Sequence, residues 1–189
     1  MNDVKLHLGC GKRYLPGYIH IDLDREPHID YPNTDIRDLS MFSDESVDVI
    51  YNCGTFEYFD PSETADVLRE WIRVLKPEGI LRVSVPNFES IISVYLQNGK
   101  DINGEGVLGP LYGKWEIAPL INVKETLFHK TVYDYRSLAS LLTLAGFSDV
   151  KHYNWKDVLP PEYDDYSKAY VPYKDDTGIQ MHLNIEGRK

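Results

Sequence analysis

Residues 47 to 87 constrain the fold more than any other stretch. "VDVIY", at Val47 to Tyr51, is a short apolar run rich in β-branched residues and reads as a buried strand. "DPSETADVLREWIRVLKPEG" follows and reads as a helix. Asp60 suits its cap, Pro61 its first position, and Glu63 completes a capping box. Val67, Leu68, Trp71, Ile72 and Leu75 fall on one apolar stripe, and Pro77 and Gly79 mark its stop. "ILRVSVPN" then reads as a second strand. Strand, helix, strand in that order predicts an α/β fold with a parallel sheet, which takes ligands beyond the carboxyl ends of its strands.

The amino terminus offers such an end. Val4 to Leu8 reads as a strand closing on Gly9, and Tyr18 to Asp22 as a second with Ile19 and Ile21 on one face. Gly9 and Gly11 let a ligand approach the backbone closely. Asp22 is placed to accept hydrogen bonds from two ribose hydroxyls. A dinucleotide fingerprint would require a third glycine and an acidic residue about 20 positions on. Lys12, Arg13 and Tyr14 stand where that glycine would be, and Asp22 comes only 11 residues after Gly11. A nicotinamide cofactor fits poorly. The segment from Gly9 to Gly17 is also too short for a full crossover helix, which usually takes a dozen residues or more.

The second half is less regular. Ile91, Ile92, Tyr95 and Leu96 read as one helix face. Residues 98 to 133 are glycine-rich and mixed, and read as an inserted loop or lid. "YDYRSLASLLTLAG" reads as a helix capped by Asp134, with a Leu138, Leu141, Leu142, Ala145 stripe and Gly146 as its stop. Val150 to Trp155 reads as a strand and residues 156 to 177 as a long loop, in which Asp164 and Asp165 are read as solvated. "IQMHLNIEG" alternates well enough to close the sheet as an antiparallel strand. The expectation is one domain over residues 1 to 189, its mostly parallel central sheet carrying helices on both faces.

Composition narrows the partners. The chain of 189 residues has a formal net charge of -10, which argues against a nucleic-acid partner or an anionic membrane surface. No apolar run suits a bilayer span and the start lacks a signal-peptide pattern, so the expected location is cytoplasmic. Cys10 and Cys53 show neither disulfide nor metal-ligand spacing, and the acidic residues form no dense ligand set, so no metal is expected.

Several segments together resemble one family. "LHLGCG", "IHID", "DIRDLSMFSDESVDVIYNCGTFEYF", "LREWIRVLKPEGILRVSVPN" and "LFHKTVYDYRSLASLLTLAGF" are similar to the class I S-adenosylmethionine-dependent methyltransferases, closest to a small bacterial subgroup with a reduced first helix. The resemblance covers about residues 4 to 155. It implies a Rossmann-like fold and S-adenosyl-L-methionine as cofactor. By that resemblance Gly9, Cys10 and Gly11, preceded by Leu8, would pass beneath the methionine part. Asp22, followed by Leu23, would bind the ribose. Asp35 would accept from the adenine amino group with Ile36 beside the ring, and Asn52, Cys53 and Gly54 would line the floor near the sulfonium. Family members often carry Glu-His where this chain has Glu57 and Tyr58.

Methyl transfer requires alignment of the acceptor and exclusion of water, and a hydroxyl acceptor also gains from a general base. Of six histidines, His7 and His20 lie in predicted strands, and His28, His152 and His182 have no partner legible in the sequence. His129, at the end of the insertion and before a helix, is the candidate base or acceptor-positioning group, or else a helix-entry hydrogen-bonding or surface residue, with Tyr133 its nearest partner. Glu57 stays open between a structural hydrogen-bonding role and one in the site. Tyr112, Trp115, Tyr135 and Trp155 are either core or stacking groups for an acceptor. Trp115, Ile117, Leu120 and Phe128 argue for an ordered lid. The resemblance implies methyl transfer to a small-molecule acceptor, or to a saccharide by the subgroup alone, and the expected atom is oxygen. The alternative is a catalytically inactive S-adenosylmethionine-binding module that regulates or scaffolds a partner.

Overall fold

β1 (Lys5–Leu8) and β2 (Ile19–Ile21) are parallel neighbours, and turns alone join them in the computed structural model of the chain. The structure describes residues 3–120, 123–173 and 175–189. Residues 121, 122 and 174, in the expected lid and tail, lie outside the described residues, as does the side chain of Leu120. β3 (Val47–Cys53) runs parallel to β1 on its other side.

α1 (Thr64–Val74) starts later than its cap signals suggest. Asp60 Oδ1 accepts from the Ser62 amide at 2.9 Å and Glu63 Oε2 from the Asp60 amide at 3.0 Å, so a closed turn precedes the helix. It also stops before Pro77. Leu75 is already extended, fully buried and paired with Val47, opening β4 (Leu75–Pro86). α2 (Phe88–Gln97) is rotated from the expected face. Ile91 and Val94 are buried, whereas Ile92 and Leu96 are exposed, because the helix packs on Val107 and Met181.

The segment expected to be an irregular lid holds regular structure. α3 (Leu108–Tyr112) leads into a hairpin of β5 (Trp115–Leu120) and β6 (Val123–Leu127). α4 (Tyr135–Ala145) has the Asp134 cap, Ser137 completing a capping box, and Gly146 as a left-handed stop. β7 (Ser148–His152) ends short of Trp155, expected in that strand, which instead opens α5 (Trp155–Val158); β8 (Tyr170–Val171), inside the expected tail loop, pairs with β9 (Ile179–Gln180) from the start of the expected last strand. β10 (His182–Arg188) is antiparallel, but it does not close an edge. It lies between β4 and β7, giving the order β2-β1-β3-β4-β10-β7.

Alternation along the strands sorts the core. Leu6, Leu8 and Ile50 face α1 and α4, packing with Trp71, Leu138 and Leu142. Tyr51 faces the other side, where Leu15, Tyr153, Leu159 and Tyr163 cover the sheet together with α5. The main core therefore fixes the strand ends at Gly9, Asp22, Gly54 and Pro86, which border a crevice.

Candidate active site

The loop after β1 is shaped by its glycines. Gly9 has φ +66°, donates its amide to Ile21 O at 2.9 Å, and leaves no room for a Cβ against Thr55. Thr55 in turn donates its hydroxyl to Gly9 O at 3.1 Å. Asp22 is 8% exposed at the end of β2. Its Oδ2 accepts from the Gly11 amide and its Oδ1 from the Asp24 amide, both at 2.7 Å. Each oxygen keeps a further lone pair for a ligand. Burial raises the Asp22 carboxyl, and these two amides pull it back down.

A crevice of about 1180 Å³ opens above this loop. Gly9, Cys10, Gly11, Asp22, Leu23, Asp35, Ile36, Cys53 and Gly54 all line it. Leu8 and Asn52 do not. Leu8 belongs to the core, and Asn52 is fully buried behind the floor, donating Nδ2 to Leu8 O at 2.9 Å. They support the loop rather than touch a ligand.

α1 positions the Asp35–Ile36 segment. Trp71 Nε1 donates to Ile36 O at 2.8 Å, and Glu70 Oε1 accepts from the Leu39 amide at 2.8 Å. Asp35 is already engaged: Arg37 donates Nε to its Oδ2 at 2.9 Å and Nη1 to Glu63 at 2.7 Å. Burial alone would raise the Asp35 carboxyl, but Arg37 holds it below the ordinary value.

Arg13 was missed by sequence reasoning, because its only sequence role was to interrupt the glycine pattern. It lines the crevice with its guanidinium 4.5 Å from the Tyr166 ring centroid and Nε donating to Asp164 O at 3.0 Å. Among the described residues no carboxylate forms an ion pair with it. The tail that brings Tyr166 is anchored by Asp165, which is buried rather than solvated. Asp165 accepts from the Tyr51 hydroxyl at 2.5 Å and the Ser167 amide at 2.9 Å, an arrangement no local pattern announces.

The stretch between β6 and α4 brings His129 to Glu57. Glu57 is 1% exposed and its Oε1 lies 3.5 Å from His129 Nε2. His129 Nδ1 is 2.9 Å from Pro110 O. The Lys130 amide donates to Glu57 O at 2.9 Å, which straps the end of the insertion to the loop after β3. Burial pushes the Glu57 carboxyl up to about 8 and lowers His129. His182, stacked on Tyr166 and 3.1 Å from Ser84 Oγ, also lines the crevice, and burial lowers it to about 3.

Tyr133 does not line the crevice, although it lies close enough to the Glu57 carboxyl to feel its charge. It is 7% exposed and packs on Phe56 in the core beneath α4, because its neighbour Val132 leads directly into the bridge with Asn87. Of the four aromatics considered for stacking, Trp115 lines the crevice. Tyr112 is exposed, Tyr135 stacks on His152, and Trp155 donates to the Tyr170 hydroxyl. Among the described residues no cluster of side chains has the makings of a metal site, and no helix is long and apolar enough to cross a membrane.

The family described as "Methyltransferase domain" matches residues 18–83. No curated protein matches the chain by sequence. Solved structures share the fold throughout. A SAM-dependent methyltransferase from Archaeoglobus fulgidus aligns with a TM-score of 0.58 at 16% identity, covering 99% of this chain and 86% of that one. A possible histamine N-methyltransferase from Thermotoga maritima aligns at 0.54 and 17% identity, covering 98% and 82%. The 1,6-didemethyltoxoflavin-N1-methyltransferase of Burkholderia thailandensis, solved with its substrate and S-adenosylhomocysteine, aligns at 0.53 and 14% identity, covering 98% and 70%.

Proposed function

We infer that this chain, a class I S-adenosylmethionine-dependent methyltransferase in its fold and in its matched domain, binds S-adenosylmethionine in the crevice and methylates a small-molecule acceptor beneath the lid. The observation that carries the reading is Asp22. A buried carboxylate ends β2, is held rigid by two amides, and keeps two lone pairs free beside a glycine floor that side chains would fill. That is the arrangement for a ribose diol. Asp35 and the Ile36 backbone stand where the base would lie, and Arg13 offers a cation to the amino-acid carboxylate.

Bound S-adenosylmethionine supplies an electrophilic methyl group on a sulfonium. The protein's part is to place an acceptor against it and keep water away. The insertion serves that purpose. Gly113, Trp115, Ile117, Phe128 and His129 line the crevice, Trp115 next to Gly11. The acceptor class we assign is a hydroxylated small molecule, a saccharide among them, methylated at oxygen. Calorimetry with S-adenosylmethionine, S-adenosylhomocysteine and NAD tests the cofactor assignment. The first two should bind and NAD should not compare. Tighter binding of NAD would overturn the reading.

A further inference from the structure

We propose that Glu57 and His129 share one proton and form the proton-accepting pair of the site, with Glu57 Oε2 the atom offered to the acceptor. This rests on the methyltransferase reading, and moves the base from His129 alone to a carboxylate that His129 positions.

The tautomer comes first. Pro110 O can only accept, so at 2.9 Å the His129 Nδ1 must donate. A neutral ring then presents a bare lone pair at Nε2, and that lone pair faces Glu57 Oε1 at 3.5 Å. Two acceptors facing one another in a buried place would repel, so a proton belongs between them. Gly113 fixes the ring. A Cβ there would collide with the imidazole, and the Tyr58 ring meets it edge-on at 4.6 Å, its hydroxyl tied to Gly113 O. His129 is thus held by its carbonyl, its glycine and its aromatic neighbour, with its remaining nitrogen given to Glu57. It is not free to act on an acceptor itself.

The second observation is Glu57 Oε2. Among the described residues it has no hydrogen-bond partner, and it is buried on a residue that lines the crevice. The groups around the carboxyl are His129 from the insertion, Tyr58 on its own turn, Tyr133 from the stretch before α4, and Cys53 from β3. Lys130, although next to His129, pairs with Glu63. Among the described residues Glu57 therefore has no full positive charge beside it except the one His129 can acquire.

An acceptor whose O–H points at Oε2 would complete the pair. As the acceptor oxygen forms its bond to the methyl carbon, the C–S bond breaks with its electrons staying on sulfur. The hydroxyl proton passes to Glu57 Oε2 while His129 Nε2 retains the proton they shared. The positive charge that leaves sulfur is then carried by the pair, which returns one proton to solvent. An acceptor presenting an anion at this end would face Oε2, whose pair keeps its proton on the Oε1–Nε2 side, so the substrate class is a neutral O–H donor.

The test is nitrogen NMR of histidine-labelled protein from pH 5 to 10, with S-adenosylhomocysteine and without it, beside the same titration of Glu57→Gln. The pair predicts a Nδ1–H ring at His129 whose Nε2 signal moves in one step near pH 8. In Glu57→Gln, where the amide can donate to Nε2, that step should vanish. Calorimetry with S-adenosylhomocysteine should show no more than a twofold change in affinity. A Nε2–H ring, or a His129 titration identical in both proteins, would overturn the proposal. Failure of S-adenosylhomocysteine to bind either protein would instead overturn the cofactor reading, and the titration of the free protein would still decide the pair.

Discussion

Glu57 Oε1 stands 3.5 Å from His129 Nε2, while the other nitrogen of the same ring is committed to Pro110 O at 2.9 Å. The relationship has a cost in stability that depends on pH. Burial raises the Glu57 carboxyl from 4.5 to about 8, so between those values the folded state holds a proton that the unfolded chain has released. Stability contributed at Glu57 is complete below about pH 4.5 and is lost as pH rises through about 8. Glu57→Gln should remove that dependence. Its melting temperature should exceed that of the parent by several degrees at pH 8 to 9 and approach it near pH 5. Thermal unfolding across that range checks it, and parallel profiles would refute it.

Asp22→Ala should weaken S-adenosylhomocysteine binding more than Asp35→Ala. The first loses two charge-assisted bonds, roughly 1.5–3 kcal/mol each before water compensates, and also frees the Gly11 amide. The expected loss is about 100-fold or more, and Asp22→Asn should fall in between. Asp35→Ala removes one contact from a carboxylate that Arg37 already occupies, an effect on the order of 10-fold. Calorimetry on folded variants gives the order.

Arg13→Met should distinguish ligands by their carboxylate. The guanidinium rests on Tyr166 without an ion-pair partner among the described residues. Affinity for S-adenosylhomocysteine should drop about 10-fold or more, following the 1.5–3 kcal/mol scale of charged hydrogen bonds. Affinity for methylthioadenosine, which lacks the carboxylate, should hardly change. Equal losses for both would mean that Arg13 merely supports the loop.

Gly113→Ala should destabilise the fold and displace His129. The residue has φ +47°, and the added methyl has no space against the imidazole. The expected cost is about 1–3 kcal/mol by denaturant unfolding. The His129 nitrogen signals should shift with it. An unchanged midpoint and unchanged signals would show that the ring has room.

How much of this was legible beforehand follows the range of the interactions. The Asp134 cap, the Gly146 stop and the strand ending at Leu8 are local, and local pattern sufficed for them. Pairing decided the rest. Leu75 joined the strand because Val47 offered it a partner, and the lid hairpin formed where no period was visible because its two arms pair with each other. In the site, the glycine loop and Asp22 lie close in sequence and were found. Glu57 and His129, or Tyr51 and Asp165, meet only through the fold, so sequence offered the residues without their partnership. Tyr133 is near His129 in sequence, but the chain between them buries it beside Phe56 and off the crevice.

The most direct measurement of the central claim is a crystal structure of the complex with S-adenosylhomocysteine. The account predicts the ribose hydroxyls on the Asp22 carboxylate, the adenine along Asp35 and Ile36, the amino-acid carboxylate toward Arg13, and the sulfur facing the space beside Glu57. The ligand bound elsewhere on the protein, or lying in the crevice with its ribose away from Asp22, would contradict it.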